Sequence, residues 1–301
     1  MIGSAPSHPA TLVRSEPIVQ RISVVTPNLN LGRYLRATIE SVLGNLSPGD
    51  EYFIIDGGSS DGSVDLIRGY GSRVTGWVSE PDKGYADALA KGFARATGDI
   101  LCWINAGDLL LPGALDAARL ALTETDAEMI FGDDLYVDEE GQVIFFSRGY
   151  VKDLHSAMLY GGWTPLQDAC FWRRDFYERV GGINPRLKYA ADFDLFLRMA
   201  LHGKCQYVPL TFSAFRRHAG QKSISGSDAY QNERVNLRRA VLDQQLPGSQ
   251  LEKSLRRLWH GAAIRWRVHV SQRLWRRPDL VGQPVEKLRC CQYWPMEAGA
   301  G

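Results

Sequence analysis

The sequence contains no apolar run close to the ~18 residues that a membrane-spanning helix needs. Residues 1–17 lack the charged start and apolar centre of a secretory signal peptide, and we predict a flexible leader there. Cysteine is scarce: the chain has 5, an odd number, without the paired spacing of a zinc site. These absences favour a reduced, cytoplasmic protein over a secreted, disulfide-bonded one.

The chain also lacks a strong charge of either sign, since its formal net charge is +1 over 301 residues. The charges are nevertheless unevenly distributed. Residues 229–301 carry 13 Lys or Arg and 6 Asp or Glu, whereas residues 1–228 carry 22 and 28. This pattern predicts an acidic globular domain at residues 18–226, followed by a basic helical extension at residues 227–301.

Apolar, β-branched segments alternate with segments of helical spacing in the first part of this domain. The predicted strands lie at 18–26, 51–55, 77–79 and 100–104, and the predicted helices lie at 33–43, from 64 onward, and at 85–96. This alternation indicates a Rossmann-like α/β fold, with a mostly parallel sheet that helices flank. A polar loop follows each strand, at the sheet edge where open α/β sheets bind ligands.

The segment Gly98–Pro112 contains the most informative of these loops. Residues 100–104 are apolar without a break, as in a strand buried on both faces. Asp108 follows just beyond the carboxyl end of that strand, where a carboxylate suits a divalent cation held against a phosphate. The alternative is that Asp108 only caps the next helix or turn.

The second half of the chain is less regular. We predict a strand at 127–132, a hairpin at 133–147 that turns at 139–141, and one or two edge strands at 207–215. A helix at 190–201 carries Asp192 and Asp194 in its first turn. From Ser227 onward the pattern is helical throughout, with an apolar face and basic residues opposite. Such a helix binds a membrane surface, or it packs on its own domain or on a partner subunit; the oligomeric state is open.

Six motifs of this chain resemble, in order and spacing, those of the inverting family 2 glycosyltransferases. They are TPNLN (26–30), IDGGSSDGS (55–63), SEPDKGYADALAKGFARATGDIL (79–101), WINAGD (103–108), AADFDLFLR (190–198) and FRRHAGQKS (215–223). The resemblance implies the A-type glycosyltransferase fold over residues 18–226. It implies transfer of a sugar from a nucleotide-diphospho-sugar, most commonly a UDP-sugar, to a glycan or lipid-linked acceptor. Such polysaccharide biosynthesis takes place in the cytoplasm or peripherally at the inner face of the plasma membrane.

By the same resemblance, Asp108 and His218 are ligands of Mg²⁺ or Mn²⁺. The metal would act as a Lewis acid on the leaving diphosphate. The family's Asp-x-Asp-like motif corresponds here to residues 105–108, and Gly107 stands where an acidic residue is usual. For His218 the alternative is a loop histidine that binds a phosphate or no ligand.

The resemblance also implies that the polar loops bind the donor. The implied binding residues are Pro27, Asn30, Asp56, Gly57, Ser59, Asp61, Asp82, Lys83, Asp87 and Asn105. Asp56 would contact the nucleoside, Asp82 the nucleoside or donor sugar, and Lys83 the phosphates. The alternatives are a turn and helix cap for residues 57–63, and a solvated ion pair for Asp82 and Lys83.

Inversion by direct displacement requires one carboxylate that takes the proton of the attacking acceptor hydroxyl. The family places this base in a pair of acidic residues that opens a helix, and Ala191 stands here at the first position of the pair. Asp192 corresponds best to the base, and Asp194 is the second candidate. The alternative is that both carboxylates only interact favourably with the helix dipole.

Two other functions are alternatives to glycosyl transfer. A sugar-1-phosphate nucleotidyltransferase would need a glycine-rich, basic first loop, which TPNLN is not. A non-catalytic nucleotide-sugar-binding or scaffold protein on the same fold is compatible with Gly107 and Ala191. Nucleic acid is not an expected partner, because the basic extension contains no recognised nucleic-acid-binding module.

Overall fold

The computed structural model describes residues 20–218, 221, 227–245, 261, 262, 266 and 277–290. The predicted leader at residues 1–17 lies outside these residues. The strands are β1 (Ile22–Asn28), β2 (Glu51–Asp56), β3 (Gly76–Ser79), β4 (Ile100–Trp103), β5 (Leu109–Leu110), β6 (Met129–Val137), β7 (Val143–Ser147), β8 (Cys170–Arg173) and β9 (Cys205–Arg216). The helices are α1 (Gly32–Leu43), α2 (Ser63–Tyr70), α3 (Tyr85–Phe93), α4 (Ala114–Glu124), α5 (Leu154–Ser156), α6 (Arg174–Arg179), α7 (Ala191–His202) and α8 (Ser227–Gln245).

The strands form one mixed sheet in the order β3-β2-β1-β4-β8-β6-β9-β5, and β7 pairs with β6 beside this path. The first four strands of the order run parallel to one another. Strand β8 pairs antiparallel with both β4 and β6. The predicted α/β fold with a mostly parallel sheet in its first half is therefore confirmed, and the loops after β1 to β4 meet at one edge.

Helices and loops cover both faces of the sheet. On one face α1 packs on β5, α2 on β2, and α4 on β6 and β9, and their apolar residues share one buried core. On the other face α3 and α7 enclose an aromatic cluster in which Trp103 lies between Trp172 and Phe196, at centroid distances of 5.3 and 5.7 Å. Each of these rings is fully buried, which stabilises the fold by about 2–3 kcal/mol per side chain. The sheet edge that carries the polar loops is thereby held rigid.

The structure corrects two predictions. Strand β9 is not an edge strand, because it lies between β6 and β5, and these two neighbours bury its residues 211–214. The extension is not helical throughout, because residues 277–290 form turns and a short 3-10 helix at Val285–Lys287. Pro284 removes a backbone donor, and Gly282 has a φ of +82°, so that neither residue suits a continuous helix.

The first part of the extension is helical, as predicted. Helix α8 packs on the domain, with Leu242 buried against the core that α7 also lines. The amphipathic pattern of the extension spans residues 251–270. Of these, the structure describes only 261, 262 and 266, and the side chain of Trp266 is exposed. Among the helices that the structure describes, none combines the length and apolar character needed to cross a bilayer.

Candidate active site

Asp56, the last residue of β2, is the centre of the first polar loops. It is fully buried, and its Oδ1 accepts hydrogen bonds from Asn28 Nδ2 and Ser59 Oγ, both at 2.6 Å. Its Oδ2 accepts from the N–H groups of Gly58 and Ser59, at 3.1 and 2.9 Å, and from Ser79 Oγ at 2.7 Å. The carboxylate therefore ties together the carboxyl ends of β1, β2 and β3.

The pKa of Asp56 reflects two opposing effects. Burial acts to raise it, but the hydrogen bonds from Ser59, Ser79 and Asn28 outweigh burial and lower the pKa below its usual value. The group is thus ionised at neutral pH. Because both oxygens already accept hydrogen bonds from the chain, its position indicates that Asp56 shapes the loops, and the nucleoside contact predicted for it stays a prediction.

The neighbouring loop residues also bond mainly to the chain itself. Asn30 has a φ of +53°; its Oδ1 accepts from Ser60 N at 2.8 Å, and its N–H donates to Ser59 Oγ at 2.8 Å. Asp61 accepts from Gly32 N, at the start of α1, at 2.7 Å. The alternative reading of residues 57–63, a turn and helix cap, therefore has direct support in these contacts.

The loop after β3 lies against the loop after β2. A Cβ atom built on Gly57 would lie 2.5 Å from Asp82 Oδ2, far inside van der Waals contact. Asp82 itself accepts from Gly84 N at 2.8 Å. Lys83 is exposed, and its N–H donates to Asp87 Oδ2 at 3.1 Å. Asp87 also pairs with Lys91 on α3, and these contacts lower its pKa, the Lys83 N–H most strongly.

We expect Gly57→Ala to lower the free energy of unfolding by about 0.5–1.5 kcal/mol, because the methyl group must displace the Asp82 carboxylate, which then loses its hydrogen bond from Gly84 N. Urea denaturation measures the change. Gly69→Ala is the matched control: this glycine is exposed on α2 and has no neighbouring atom within 4 Å of its Cβ position. The control is expected to be neutral or stabilising by up to about 1 kcal/mol. Equal stability of the two variants would contradict the close packing of Gly57 and Asp82.

The loop after β4 places Asp108 on the far side of the same edge. Asp108 is buried; its Oδ1 accepts from Arg216 N at 3.1 Å and its Oδ2 from Asn105 Nδ2 at 3.2 Å. Asn105 also donates to Gln167 Oε1 at 2.5 Å. Gly107 has a φ of +111° and its carbonyl accepts from Arg216 Nε at 3.0 Å. The residue that departs from the family motif thus has a backbone conformation that favours glycine.

Asp108 belongs to a group of three buried carboxylates with Asp134 and Asp168. Burial raises the pKa of Asp108 well above its usual value, and the negative charge of Asp168 raises it further. Burial and the same neighbour also raise the pKa of Asp134, while burial raises that of Asp168 to about 6. Oδ2 of Asp134 and of Asp168 are buried without a hydrogen-bond partner. The positive charge of Arg216 acts to lower the pKa of Asp108, but it does not outweigh burial and Asp168.

The carboxylates of this group suit a divalent cation only as partial ligands. Within the described part of the chain, no group of three or more His, Cys, Asp or Glu side chains is arranged to hold a metal ion. Mg²⁺ usually takes only one or two protein carboxylates and completes its shell with substrate phosphates and water. Asp108, with the acidic side chains of Asp134 and Asp168 near it, fits that kind of binding.

His218 lies close to the Asp108 loop but contacts other groups. Its ring lies 5.1 Å from the ring of Tyr34, which in turn lies 5.5 Å from the Arg216 guanidinium. Burial lowers the pKa of His218, and the neighbouring Arg216 and Arg33 lower it further against the opposing charge of Glu139. A neutral imidazole is the form that binds a metal. Its predicted role as a ligand stays a prediction.

The two candidate bases differ in their surroundings. Asp192 lies in the first turn of α7; its Oδ2 accepts from Tyr230 Oη at 3.2 Å, and its Oδ1 is buried without a hydrogen-bond partner. Burial raises the pKa of Asp192. Asp194, by contrast, forms an ion pair with Arg198 at 2.6 Å, and Arg198 also binds the carbonyl groups of Val180 and Gly182. Asp194 therefore has a structural partner, whereas Asp192 keeps one free oxygen.

Several residues of the site were not among those predicted from the sequence. Two of them lie in recognisable patterns: Asn28 lies in the TPNLN motif, and Asp134 lies in the pair of acidic residues that follows the apolar segment 127–132. Arg216 lies within the FRRHAGQKS motif. No local pattern indicated Tyr230, because its contact with Asp192 joins two helices that are far apart in the sequence. Pro27 lies in β1, and its carbonyl accepts from Ala106 N at 3.2 Å.

Comparison with known proteins agrees with this architecture. Residues 23–181 match the family described as Glycosyl transferase family 2, slightly more than half of the chain. A protein named as an uncharacterized glycosyltransferase of Nostoc sp. is 26% identical over 260 residues, which are 81% of this chain and 78% of that protein.

Solved structures share the fold at low sequence identity. Residues 1–349 of Staphylococcus aureus TarS in complex with UDP-GlcNAc give a TM-score of 0.61 at 14% identity, over 83% of this chain and 73% of that one. The longer TarS chain is covered over 41% of its length. The mannosyltransferase PcManGT of Pyrobaculum calidifontis, in complex with GDP-Man and Mn²⁺, gives a TM-score of 0.56 at 14% identity, over 86% and 76%. With its sheet order, polar edge and family match, this chain belongs to glycosyl transferase family 2.

Proposed function

We propose that this protein is an inverting glycosyltransferase that moves a sugar from a nucleotide-diphospho-sugar to a hydroxyl of a glycan or lipid-linked acceptor. The observation that carries the proposal is the placement of two kinds of carboxylate at one edge of the sheet. Asp108 lies in a group of buried carboxylates after β4, and Asp192 lies at the start of α7 with one oxygen that accepts no hydrogen bond. A donor diphosphate with its cation suits the first, and an acceptor hydroxyl suits the second.

In this proposal the loops after β1, β2 and β3 bind the nucleoside end of the donor. Asp56 holds these loops in place, and Asp82 and Lys83 line the same edge. The complexes of TarS with UDP-GlcNAc and of PcManGT with GDP-Man support a nucleotide-sugar donor here. The predicted donor is a UDP-sugar.

Asp108 would hold Mg²⁺ or Mn²⁺ together with the donor diphosphate, with His218 as the second predicted ligand. The Mn²⁺ in the PcManGT complex supports a divalent metal. When bound, the metal supplies Lewis-acid stabilisation of the charge that grows on the leaving diphosphate. Arg216 N and Asn105 fix the orientation of the Asp108 carboxylate.

Asp192 would act as the base. Its free Oδ1 takes the proton of the acceptor hydroxyl while the acceptor oxygen bonds to the anomeric carbon and the bond to the diphosphate breaks. The electron pair of that broken bond leaves with the diphosphate. A raised pKa suits this role, because a more basic carboxylate accepts the proton more readily.

Titration calorimetry with a panel of UDP-, GDP- and dTDP-sugars, with and without Mn²⁺, tests the proposal. We expect one donor to bind at least tenfold more tightly with Mn²⁺, which corresponds to about 1.4 kcal/mol, and Asp108→Ala to abolish this metal dependence. Thermal unfolding without ligand is the folding control for the variant. If no donor binds, or if donor affinity depends on neither Mn²⁺ nor Asp108, the result favours a non-catalytic scaffold protein.

A further inference from the structure

Helix α8 lies beyond the matched family segment, yet it contacts the start of α7 directly. Tyr230 Oη donates to Asp192 Oδ2 at 3.2 Å. One turn further along α8, the guanidinium of Arg234 lies 4.7 Å from the ring of Phe193 and 5.1 Å from that of Tyr230. The same helix face thus reaches the candidate base and its neighbour on α7.

Glu233, on the same face of α8, completes the start of α7. The first turn of α7 has Ala190 at the N-cap, which offers no side-chain acceptor. Glu233 accepts instead from the N–H groups of Lys188, Tyr189 and Ala190, at 3.2, 3.0 and 2.8 Å. These groups lie before the first helical residue, so Glu233 fixes the backbone that leads into α7, and its charge lies at the end of the helix where the dipole favours a negative group.

The opposite side of this segment is held by α3. The hydroxyl of Tyr85 donates to Tyr189 O at 2.7 Å and accepts from Ala191 N at 2.8 Å. The backbone that leads into Asp192 is therefore fixed between Tyr85 on one side and Glu233 on the other.

Helix α8 is itself anchored to the domain by its arginines. Arg238 donates to the carbonyl groups of Leu159 and Tyr160, at 3.0 and 2.8 Å, and Arg234 donates to that of Gly162. These hydrogen bonds satisfy backbone acceptors between Leu159 and Gly162. They attach α8 to the domain.

We propose that α8 positions the catalytic base: Tyr230 hydrogen-bonds one oxygen of Asp192 so that the other faces the acceptor, and Glu233 fixes the backbone that carries it. This inference rests on the proposed function, since it assigns Asp192 the role of base. The charged and titratable groups that act on Asp192 are Tyr230 and Arg234 of α8, Tyr85 of α3 and Cys170 of β8. Tyr230 and Glu233 are positioning residues, because they act through Asp192.

Tyr230→Phe removes the hydroxyl and keeps the ring over which Arg234 lies. Without this hydrogen bond to the ionised form, the Asp192 carboxylate is harder to ionise. We expect its titration, followed by carboxyl ¹³C NMR and assigned with Asp192→Asn, to move up by about 0.5–1 pH unit. The acidic limb of the kcat/KM profile should move by the same amount, with donor KM unchanged within about twofold.

Tyr177→Phe is the matched control, because Tyr177 also uses its hydroxyl in one internal hydrogen bond, from Ile183 N at 3.0 Å. It should leave the Asp192 titration unchanged. Glu233→Ala should lower kcat about tenfold, and Glu233→Gln should recover part of the loss through its remaining acceptor oxygen. An unmoved Asp192 titration in Tyr230→Phe, an equal shift in Tyr177→Phe, or equal activity of the two Glu233 variants would each overturn the proposal.

The NMR titration needs neither donor nor turnover. If the wild-type protein binds no nucleotide-sugar, the proposed function fails, while the titration still decides whether Tyr230 acts on Asp192. If the wild type transfers sugar and Tyr230→Phe leaves the Asp192 titration and the pH profile unchanged, the role of α8 fails alone.

Discussion

Replacement of Asp192 by Asn is expected to lower kcat for sugar transfer by about 10²- to 10⁴-fold, the range that a general base contributes. The substitution keeps the shape of the side chain but removes its ability to accept the proton of the acceptor hydroxyl. Donor affinity should change by less than about twofold, since Asp192 would act on the acceptor. Initial rates with saturating donor and acceptor, together with calorimetry of donor binding, separate the two effects.

Asp194→Asn is the matched control for this experiment. It makes the same change from a carboxylate to an amide two residues away. The Asp194 carboxylate, however, is paired with Arg198 on the same helix. We expect a loss of stability and a change in kcat of less than about fivefold, because Arg198 already donates two hydrogen bonds to Asp194 Oδ2 and holds that carboxylate in a structural contact. If Asp194→Asn folds normally and loses activity while Asp192→Asn retains it, the base is Asp194.

Much of the polar edge of the sheet was predictable because its signals are local. Each of β1 to β4 is a short apolar segment, and each is followed by polar residues such as Asp56 and Asp108. Parallel pairing then brings those strand ends together, since successive strands joined by helices return in the same direction. The hairpin at 133–147 was also visible, although β6 continues to Val137 before the turn.

The sequence pattern could not place Asp134 because β6 is irregular at that point. Its register against β9 shifts between Phe131 and Asp133 and again between Asp133 and Asp134. Such bulges change which face of the sheet a side chain points to. The shifts pair Asp133 with Thr211 and Asp134 with Ser213, so that the β9 partner of Asp134 could not be counted off from the sequence. In the structure Asp133 accepts from Tyr207, and Asp134 accepts from Ser213.

The contact between α8 and the domain could not be predicted from the sequence either, for a different reason. Apolar periodicity identifies a helix by the apolar residues on its buried face. The face of α8 that contacts the domain uses Tyr230, Glu233, Arg234 and Arg238, whose polar groups bind backbone or carboxylate atoms. Such contacts depend on tertiary partners at least 38 positions away and leave no trace in the local pattern.

Asp56→Ala should have the largest effect on stability, a loss of about 2–4 kcal/mol. The substitution leaves the side-chain donors of Asn28, Ser59 and Ser79 without their acceptor, and Asn28 is buried while the two serines are half-buried. Urea denaturation at pH 7 measures the loss. Asp65→Ala is the matched control: this aspartate is exposed and pairs with Arg68 on the surface of α2, so that its removal should cost less than about 1 kcal/mol.

The same variant predicts a pH dependence of defined sign. The pKa of Asp56 is lowered in the folded protein, so its contribution is fully present above the unfolded pKa of about 4 and is lost as the pH falls through the folded value. The wild type should therefore lose stability below about pH 4 more steeply than Asp56→Ala does. Parallel curves for the two proteins would contradict the proposed hydrogen-bond network. A variant as stable as the wild type that no longer binds donor would instead mean that Asp56 contacts the nucleoside.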